Sequence, residues 1–241
     1  MSGLRWRQIS KLRFAMRSAT LRRALWKGVT VDPLHVSLVA ELKPHLILDV
    51  GANRGQFALA SLYAHPDSAV ICFEPLEAPR GRLAAVFQGD NRIDVRGVAL
   101  GASRRRVPMY VSQRDDSSSL LPIASLQSEV FPGTGLAATV DVTLSTLDHE
   151  VADIPPMTLL KLDVQGYEVE VLRGAPDVLS RVQWVLVEVS FLPLYVGICT
   201  PADVLEILAA SGLRLREVVD VYSRRGKIIQ ADLLFERRDT I

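Results

Sequence analysis

The sequence has few cysteines, few aromatic residues and no long apolar segment. Two cysteines, Cys72 and Cys199, in 241 residues are too few for a disulfide framework or a zinc cluster, and they favour a reducing compartment such as the cytoplasm. The longest stretch without a charged residue, 189–202, contains two prolines and is shorter than the roughly 20 apolar residues of a membrane-spanning helix. A composition of 49% hydrophobic and 23% charged residues indicates a globular domain.

Acidic residues are absent from the first 31 residues, which contain eight Lys and Arg side chains. The rest of the chain contains 20 basic and 27 acidic residues, which argues against a nucleic-acid-binding face on it. Ile9, Leu12 and Met16 share one helical face among the basic residues. We predict a basic amphipathic arm over 1–31 and one domain over 32–241. The arm either contacts an anionic membrane peripherally, at its inner face, or packs on the fold.

Short apolar strands alternate with helices along most of the chain. Strands are predicted at 45–50, 69–73, 93–98, 158–164, 182–189, 213–221 and 228–235, and helices at 33–43, 56–64, 77–87, 167–172, 176–179 and 201–211. Apolar strands separated by helices indicate an α/β fold whose parallel sheet is covered on both sides. The short turn before the last strand makes the terminal pair antiparallel. Residues 101–143 interrupt the alternation and predict an inserted hairpin with a mobile loop.

A glycine-containing turn, Asp49-Val50-Gly51-Ala52-Asn53-Arg54-Gly55, follows the first strand. Its glycines let the backbone pass close to a ligand, and the next helix offers free N–H groups to an anion. Glu74 ends the second strand, where a carboxylate can accept hydrogen bonds from both ribose hydroxyls. Asn53 and Gln56 stand where a dinucleotide fingerprint requires glycine. The pattern favours a nucleotide-like cofactor other than NAD, with a merely structural turn as the alternative.

Four motifs resemble those of the FkbM family of S-adenosylmethionine-dependent methyltransferases. They are Leu48-Asp49-Val50-Gly51-Ala52-Asn53 with Gly55, Phe73-Glu74-Pro75, Leu160-Lys161-Leu162-Asp163-Val164-Gln165-Gly166-Tyr167-Glu168, and Val187-Glu188-Val189. The resemblance covers about residues 33–238. It implies a class I methyltransferase (Rossmann-like) sheet of seven strands, mostly parallel with an antiparallel terminal strand. Gln165-Gly166 replaces the family's usual Glu-Gly, which weakens a direct role for position 165.

The resemblance also implies a cofactor and a reaction. The cofactor is S-adenosyl-L-methionine, and the candidate residues that bind it are Asp49, Gly51, Asn53, Gly55, Glu74 and Pro75. The reaction is methylation of a hydroxyl on a natural product, a sugar or a lipid-linked saccharide. Such a transfer requires in-line alignment of the acceptor oxygen, the methyl group and the sulfur, and a base near the weakly acidic hydroxyl.

Residues at or near strand ends are the candidates for that base and for acceptor contacts. Asp163 is the first choice for the base, since it ends a parallel strand beside the ligand crevice, and Glu188 and His149 are the others. The candidate acceptor contacts are Ser117, Ser118, Ser119 and Glu168. A solvated loop is the alternative for His149 and the serines, and a favourable charge at a helix N-terminus is the alternative for Glu168.

Two carboxylates without a third ligand do not establish a metal site, so we predict none. Lys161 is expected to form a structural ion pair with a neighbouring acid. Two other function classes stay open at this point. One is a nicotinamide oxidoreductase, and the other is a non-catalytic cofactor-binding or membrane-adaptor protein. The sequence does not specify the oligomeric state.

Overall fold

The computed structural model describes residues 21, 24 and 26–237, so most of the predicted arm lies outside the described residues. A seven-stranded sheet has the order β3-β2-β1-β7-β8-β10-β9. Its strands are β1 (Leu46–Val50), β2 (Ala69–Phe73), β3 (Ile93–Arg96), β7 (Thr158–Leu162), β8 (Trp184–Ser190), β9 (Leu213–Arg224) and β10 (Lys227–Arg237). β10 is antiparallel to both its neighbours, and the other pairs are parallel. The predicted class I methyltransferase sheet is confirmed.

A second sheet of three strands lies in the segment that interrupts the alternation. It consists of β4 (Ala99–Leu100), β5 (Arg105–Ser112) and β6 (Leu136–Ser145), in the order β4-β6-β5. β5 and β6 form the expected antiparallel pair. A 3-10 turn at Asp115–Ser117 follows β5. The serines after it are buried, which differs from the predicted mobile loop, because the Ser119 backbone pairs with Tyr110 and its hydroxyl donates to the carbonyl of Gln165.

Eight helices connect the strands in the described part of the chain. They are α1 (Pro33–Leu42), α2 (Gln56–Ala64), α3 (Glu77–Val86), α4 (Ser125–Val130), α5 (Leu147–Glu150), α6 (Glu168–Arg173), α7 (Pro176–Leu179) and α8 (Pro201–Ala210). The start of α1 follows from its sequence, since Asp32 accepts a hydrogen bond from the Leu34 N–H and Pro33 occupies the first turn. α4 and α5 were not predicted, because they are short and, unlike α7, do not begin at a proline.

Apolar side chains cover both faces of the large sheet. β1 and β7 are buried along their whole length. Ile47 of β1 packs with α1 and α2 on one face, and Leu48 packs with α6 and α7 on the other. This burial leaves the carboxyl ends of the parallel strands as the place where loops meet and a ligand can enter. Within the described ranges, no helix is both long enough and apolar enough to cross a membrane.

Candidate active site

A cavity opens at the carboxyl ends of β1, β2 and β7. It contains about 960 Å³ of empty space, including its open mouth. β1 lies between β2 and β7 in the sheet, so the cavity is at the point where the strand order reverses. The large apolar residues lining it are Phe57, Phe73, Leu76, Val98, Leu100, Met109 and Leu120. The three-stranded sheet and its 3-10 turn therefore form part of the cavity wall.

The glycine turn borders the cavity, but its two glycines have packing roles. Gly51 has φ 80°, and a Cβ there would lie 1.9 Å from the backbone oxygen of Asp163. Gly55 has φ 84°, and its Cβ would lie 2.9 Å from the Phe87 ring. A side chain at Gly55 would therefore strain the turn and meet the Phe87 ring. Gly51 lines the cavity and Gly55 does not. Gly55 instead allows the start of α2 to pack closely on Leu83 and Phe87.

Glu74 ends β2 with its carboxylate facing the cavity and only 5% of the residue exposed. Its Oε2 accepts the Asn53 N–H at 3.0 Å, and its Oε1 accepts the Leu76 N–H at 2.8 Å. Burial raises the pKa of Glu74 from 4.5 to about 7, although these two backbone hydrogen bonds oppose the rise. Each oxygen keeps a lone pair, so the carboxylate can also accept hydrogen bonds from a ligand.

The residues present fit S-adenosylmethionine. A buried carboxylate with spare lone pairs suits two ribose hydroxyls, because their donated hydrogen bonds replace lost hydration. The apolar wall around Phe73, Leu76 and Met109 suits an aromatic base. Asn53 and Pro75 also line the cavity. Asp49 does not line it, since this carboxylate is fully buried within β1.

Lys161 of β7 lies between the buried Asp49 and the cavity-lining Asp163. Its Nζ lies 3.5 Å from Asp49 Oδ1, 3.3 Å from Asp163 Oδ2 and 3.4 Å from the Gly51 carbonyl oxygen. Burial alone would lower the pKa of Lys161, but the charges of Asp163 and Asp49 outweigh it and raise that pKa. Burial also raises the pKa of Asp49. Lys161 therefore forms the predicted ion pair, and it also lines the cavity beside Asp163.

Gln165 connects Asp163, which follows β7, with Glu188 of β8. Its Nε2 donates to Asp163 Oδ1 at 2.8 Å and to Glu188 Oε1 at 3.0 Å, and its Oε1 accepts from the Tyr195 hydroxyl at 2.8 Å. The backbone of Gln165 is left-handed, with φ 55°, which turns the side chain back over the strand ends. A glutamate could not donate these two hydrogen bonds while ionised. Gln165 thus holds Asp163 and Glu188 in place and lines the cavity itself.

Glu188 lies behind Gln165 and is not part of the cavity lining. Its Oε1 accepts from Gln165 and also from Gln230 Nε2 at 2.7 Å. Burial, followed by repulsion from Asp163 and Asp232, raises the pKa of Glu188 well above its ordinary value. A carboxyl group with this environment contributes mainly to the hydrogen-bond network behind the cavity.

The structure brings together only part of the predicted site. Six candidates line the cavity: Gly51, Asn53, Glu74, Pro75, Asp163 and Ser118. Seven do not: Asp49, Gly55, Ser117, Ser119, His149, Glu168 and Glu188. His149 is exposed on α5. The Glu168 carboxylate accepts the N–H groups of Val164 and Gly166 at 3.1 Å each, so it fixes the loop before its own helix.

Sequence reasoning missed three contributors to the cavity. His35 of α1 lines it, and nothing in the helix pattern distinguishes this residue. Gln165 was assigned no direct role. Asp115 lines the cavity and forms a bidentate pair with Arg54, with both N–O distances at 2.8 Å, which ties the glycine turn to the inserted segment. In the part of the chain that the structure describes, no group of three or more His, Cys, Asp or Glu residues could hold a metal.

Three relatives are similar to most of this chain. The 2-O-methyltransferase NoeI of Sinorhizobium fredii is 25% identical over 72% of this chain and 74% of its own length. The 31-O-demethyl-FK506 methyltransferase FkbM of Streptomyces tacrolimicus is 29% identical over 68% and 73%. The hexuronic acid methyltransferase AglP of Haloferax volcanii is 28% identical over 76% and 69%.

The family model described as methyltransferase FkbM domain matches residues 49–215, which is more than half of the chain. The match includes the glycine turn, Glu74 and the segment around Asp163 that form the cavity. It confirms a methyltransferase rather than a nicotinamide oxidoreductase or a non-catalytic adaptor. The chain belongs to the FkbM family of methyltransferases, and its cofactor is S-adenosylmethionine.

Proposed function

We propose that this methyltransferase transfers the methyl group to a hydroxyl of a neutral sugar, carried by a glycolipid or another small secondary metabolite. Two relatives are named for O-methylation, and a third for a sugar acid. The first two names support an oxygen acceptor, and the third supports a carbohydrate. The charge of the cavity lining supports a neutral acceptor, and it is the observation on which the proposal mainly depends.

Carboxylates outnumber cations around the cavity. The acidic lining residues are Glu74, Asp115, Asp116 and Asp163. Lys161 is the one lining Lys or Arg among the described residues, and it is already paired with Asp49 and Asp163. An anionic acceptor would enter this site without a free cation to balance it, which is costly in a partly buried cavity. Carboxylates accept hydrogen bonds from sugar hydroxyls and from ligands that carry a positive charge.

Bound S-adenosylmethionine supplies a methyl group that its sulfonium has already activated for displacement. The chain must bind it, orient the acceptor and exclude water. We assign the ribose hydroxyls to Glu74, with Asn53 and Pro75 beside them. Asp163 orients the acceptor sugar by accepting a hydrogen bond from a hydroxyl beside the reacting one, since it stands at the cavity with its position fixed by Lys161 and Gln165. We also assign an acceptor contact to Ser118, which lines the cavity.

A panel of acceptors tests the charge argument. Purified protein is incubated with S-adenosylmethionine and methyl glycosides of neutral hexoses, 6-deoxyhexoses and hexuronic acids, and the release of S-adenosylhomocysteine is measured. We expect the best neutral glycoside to exceed the matching uronic acid at least about tenfold in kcat/KM, which corresponds to about 1.4 kcal/mol. Better turnover of the uronic acids would contradict the proposal.

Comparative mass spectrometry identifies the natural acceptor. Glycolipids and small metabolites are extracted from strains with and without the gene, and species lighter by one methylene are sought in the deletion strain. The proposal expects a neutral glycoside that regains the methyl group when purified protein and S-adenosylmethionine are added. Methylation of an amine or a carboxylate in that extract would show that the acceptor class is wrong.

We further propose that residues 1–31 contact an anionic membrane and hold the enzyme near a lipid-linked acceptor. The arm carries eight basic residues without an acid, and each contributes about 1 kcal/mol near such a surface. Trp26, the described tryptophan of this segment, is 91% exposed, as expected for an interfacial anchor. Binding of the full chain to liposomes should increase with their content of anionic lipid. A chain starting at Leu21 keeps the buried Leu21, Ala24 and Val29 of the core and should bind weakly; equal binding by the two chains would refute the membrane contact.

A further inference from the structure

His35 is the one histidine among the described residues that line the cavity. It lies in the first turn of α1, and its ring meets the Phe57 ring edge to face at a centroid distance of 5.0 Å. Phe57, Lys161 and Asp163 line the cavity with it. Lys161 Nζ lies 5.9 Å from the Phe57 ring centroid and 3.3 Å from Asp163 Oδ2, so the imidazole lies on the side of the cavity formed by Phe57, Lys161 and Asp163, where the acceptor is assigned.

Asp232 of β10 lies beside the His35 ring. The distance between His35 Nε2 and Asp232 Oδ2 is 3.8 Å, and each side chain is 24% exposed. This is an ion-pair distance that one small side-chain movement shortens to a hydrogen bond, and catalytic hydrogen bonds often tighten when ligands bind. A carboxylate at Nε2 favours the tautomer with a proton on Nε2, which leaves Nδ1 as the proton acceptor.

The neighbouring carboxylates already hold hydrogen-bond donors. Asp163 accepts from Lys161 on one oxygen and from Gln165 on the other. Glu188 accepts from Gln165 and Gln230, and it does not line the cavity. No hydrogen bond to Nδ1 of His35 occurs within the described residues. His35 thus combines a position at the cavity with a basic nitrogen that no described group occupies.

We propose that His35 is the catalytic base of the methyl transfer and that Asp232 orients its ring. This inference rests on the proposed hydroxyl acceptor. The acceptor oxygen forms a bond to the methyl carbon while the carbon–sulfur bond breaks and its electron pair stays on sulfur. The hydroxyl proton passes to Nδ1 of His35, and the products are the methyl ether, S-adenosylhomocysteine and the protonated imidazole. The imidazolium, stabilised by Asp232, then releases its proton to solvent.

Kinetics with the acceptor extract of the deletion strain test the base. His35→Ala should lower kcat by about 10² to 10⁴ while the affinity for S-adenosylhomocysteine, measured by calorimetry, stays within twofold of wild type. Added imidazole should restore part of the turnover, because the truncated side chain leaves space beside Phe57. Asp232→Asn should lower kcat by about tenfold or more without raising KM by a comparable factor. The matched control is His45→Ala, an exposed histidine outside the cavity, which should leave kcat unchanged.

A spectroscopic measurement tests the pair without turnover. In ¹⁵N-labelled protein, the ring nitrogens of His35 should show the Nε2–H tautomer, and Asp232→Asn should remove that preference. Full kcat in His35→Ala, a loss that imidazole does not rescue, or an Nδ1–H tautomer in the wild type would each overturn the assignment. Failure of the wild-type protein to methylate any hydroxyl in the extract, with cofactor bound, would instead overturn the proposed function.

Discussion

The buried carboxylate of Glu74 predicts that cofactor affinity depends on pH. In the free protein burial raises the pKa of this group from 4.5 to about 7, so the carboxyl is largely protonated at pH 5.5. Two ribose hydroxyls that donate to it stabilise the ionised form and lower its pKa in the complex. Binding then releases a proton below pH 7, and affinity for S-adenosylmethionine increases as the pH rises towards 7.

The magnitude follows from the two pKa values. If the complex restores the ordinary value of 4.5, the dissociation constant falls by about 15-fold between pH 5.5 and pH 7.0, and up to one proton is released per cofactor. A smaller pKa change in the complex gives a proportionally smaller effect. The α-amino group of the cofactor stays protonated over this range, since such groups titrate near 8.

Titration calorimetry at several pH values, in buffers of different ionisation enthalpy, measures both quantities. Glu74→Gln should abolish the proton release and flatten the pH dependence. Glu168→Gln is the matched control, because burial also raises the pKa of Glu168 to about 7 but this residue does not line the cavity. The reasoning is refuted if wild-type affinity is constant or decreases between pH 5.5 and 7.0, or if Glu74→Gln keeps the wild-type slope.

Two further predictions separate packing from ligand binding. Gly55→Ala should lower the free energy of unfolding by about 1 to 3 kcal/mol more than Gly226→Ala. Both glycines have positive φ, but only a Cβ at position 55 would meet the Phe87 ring. Chemical denaturation measures the difference, and calorimetry should show that Gly55→Ala leaves the cofactor affinity unchanged. Gln165→Leu should lower the free energy of unfolding by about 1 to 3 kcal/mol and raise the KM for the acceptor. The control Gln88→Leu, at an exposed position, should change neither. If Gln165→Leu is as stable as the wild type, the hydrogen bonds of the Gln165 side chain do not contribute to stability.

The sheet could be predicted from the sequence because its strands are apolar on both faces and its turns contain breakers. β2 was predicted at its observed bounds, and β1 within one residue. The short elements α4, α5 and β4 could not be predicted, since α4 and α5 have no proline in the first turn to mark them, as α7 has, and β4 has only two residues. The family, the enzyme class and the cofactor could be predicted because four separated motifs agree, and the family match confirms them.

The site was less predictable because it depends on contacts between distant segments. In a sequence, a glycine that lets the backbone approach a ligand looks the same as one that allows close packing, and Gly55 was therefore assigned to the ligand. A charge within an apolar strand is an informative signal, which pointed to Glu188 and should equally have pointed to Asp232, its partner across β8 and β10. His35 had no such signal, since only the packing of α1 on α2 brings it to the cavity. The catalytic and binding roles stay predictions.

A crystal structure of the protein with S-adenosylhomocysteine tests the central claim most directly, because that product marks both the ribose and the sulfur from which the methyl group leaves. The account predicts ribose hydroxyls within hydrogen-bond distance of Glu74, and the sulfur facing the part of the cavity between Asp163 and His35. A ligand whose ribose lies away from Glu74, or whose sulfur faces away from Asp163 and His35, would contradict it.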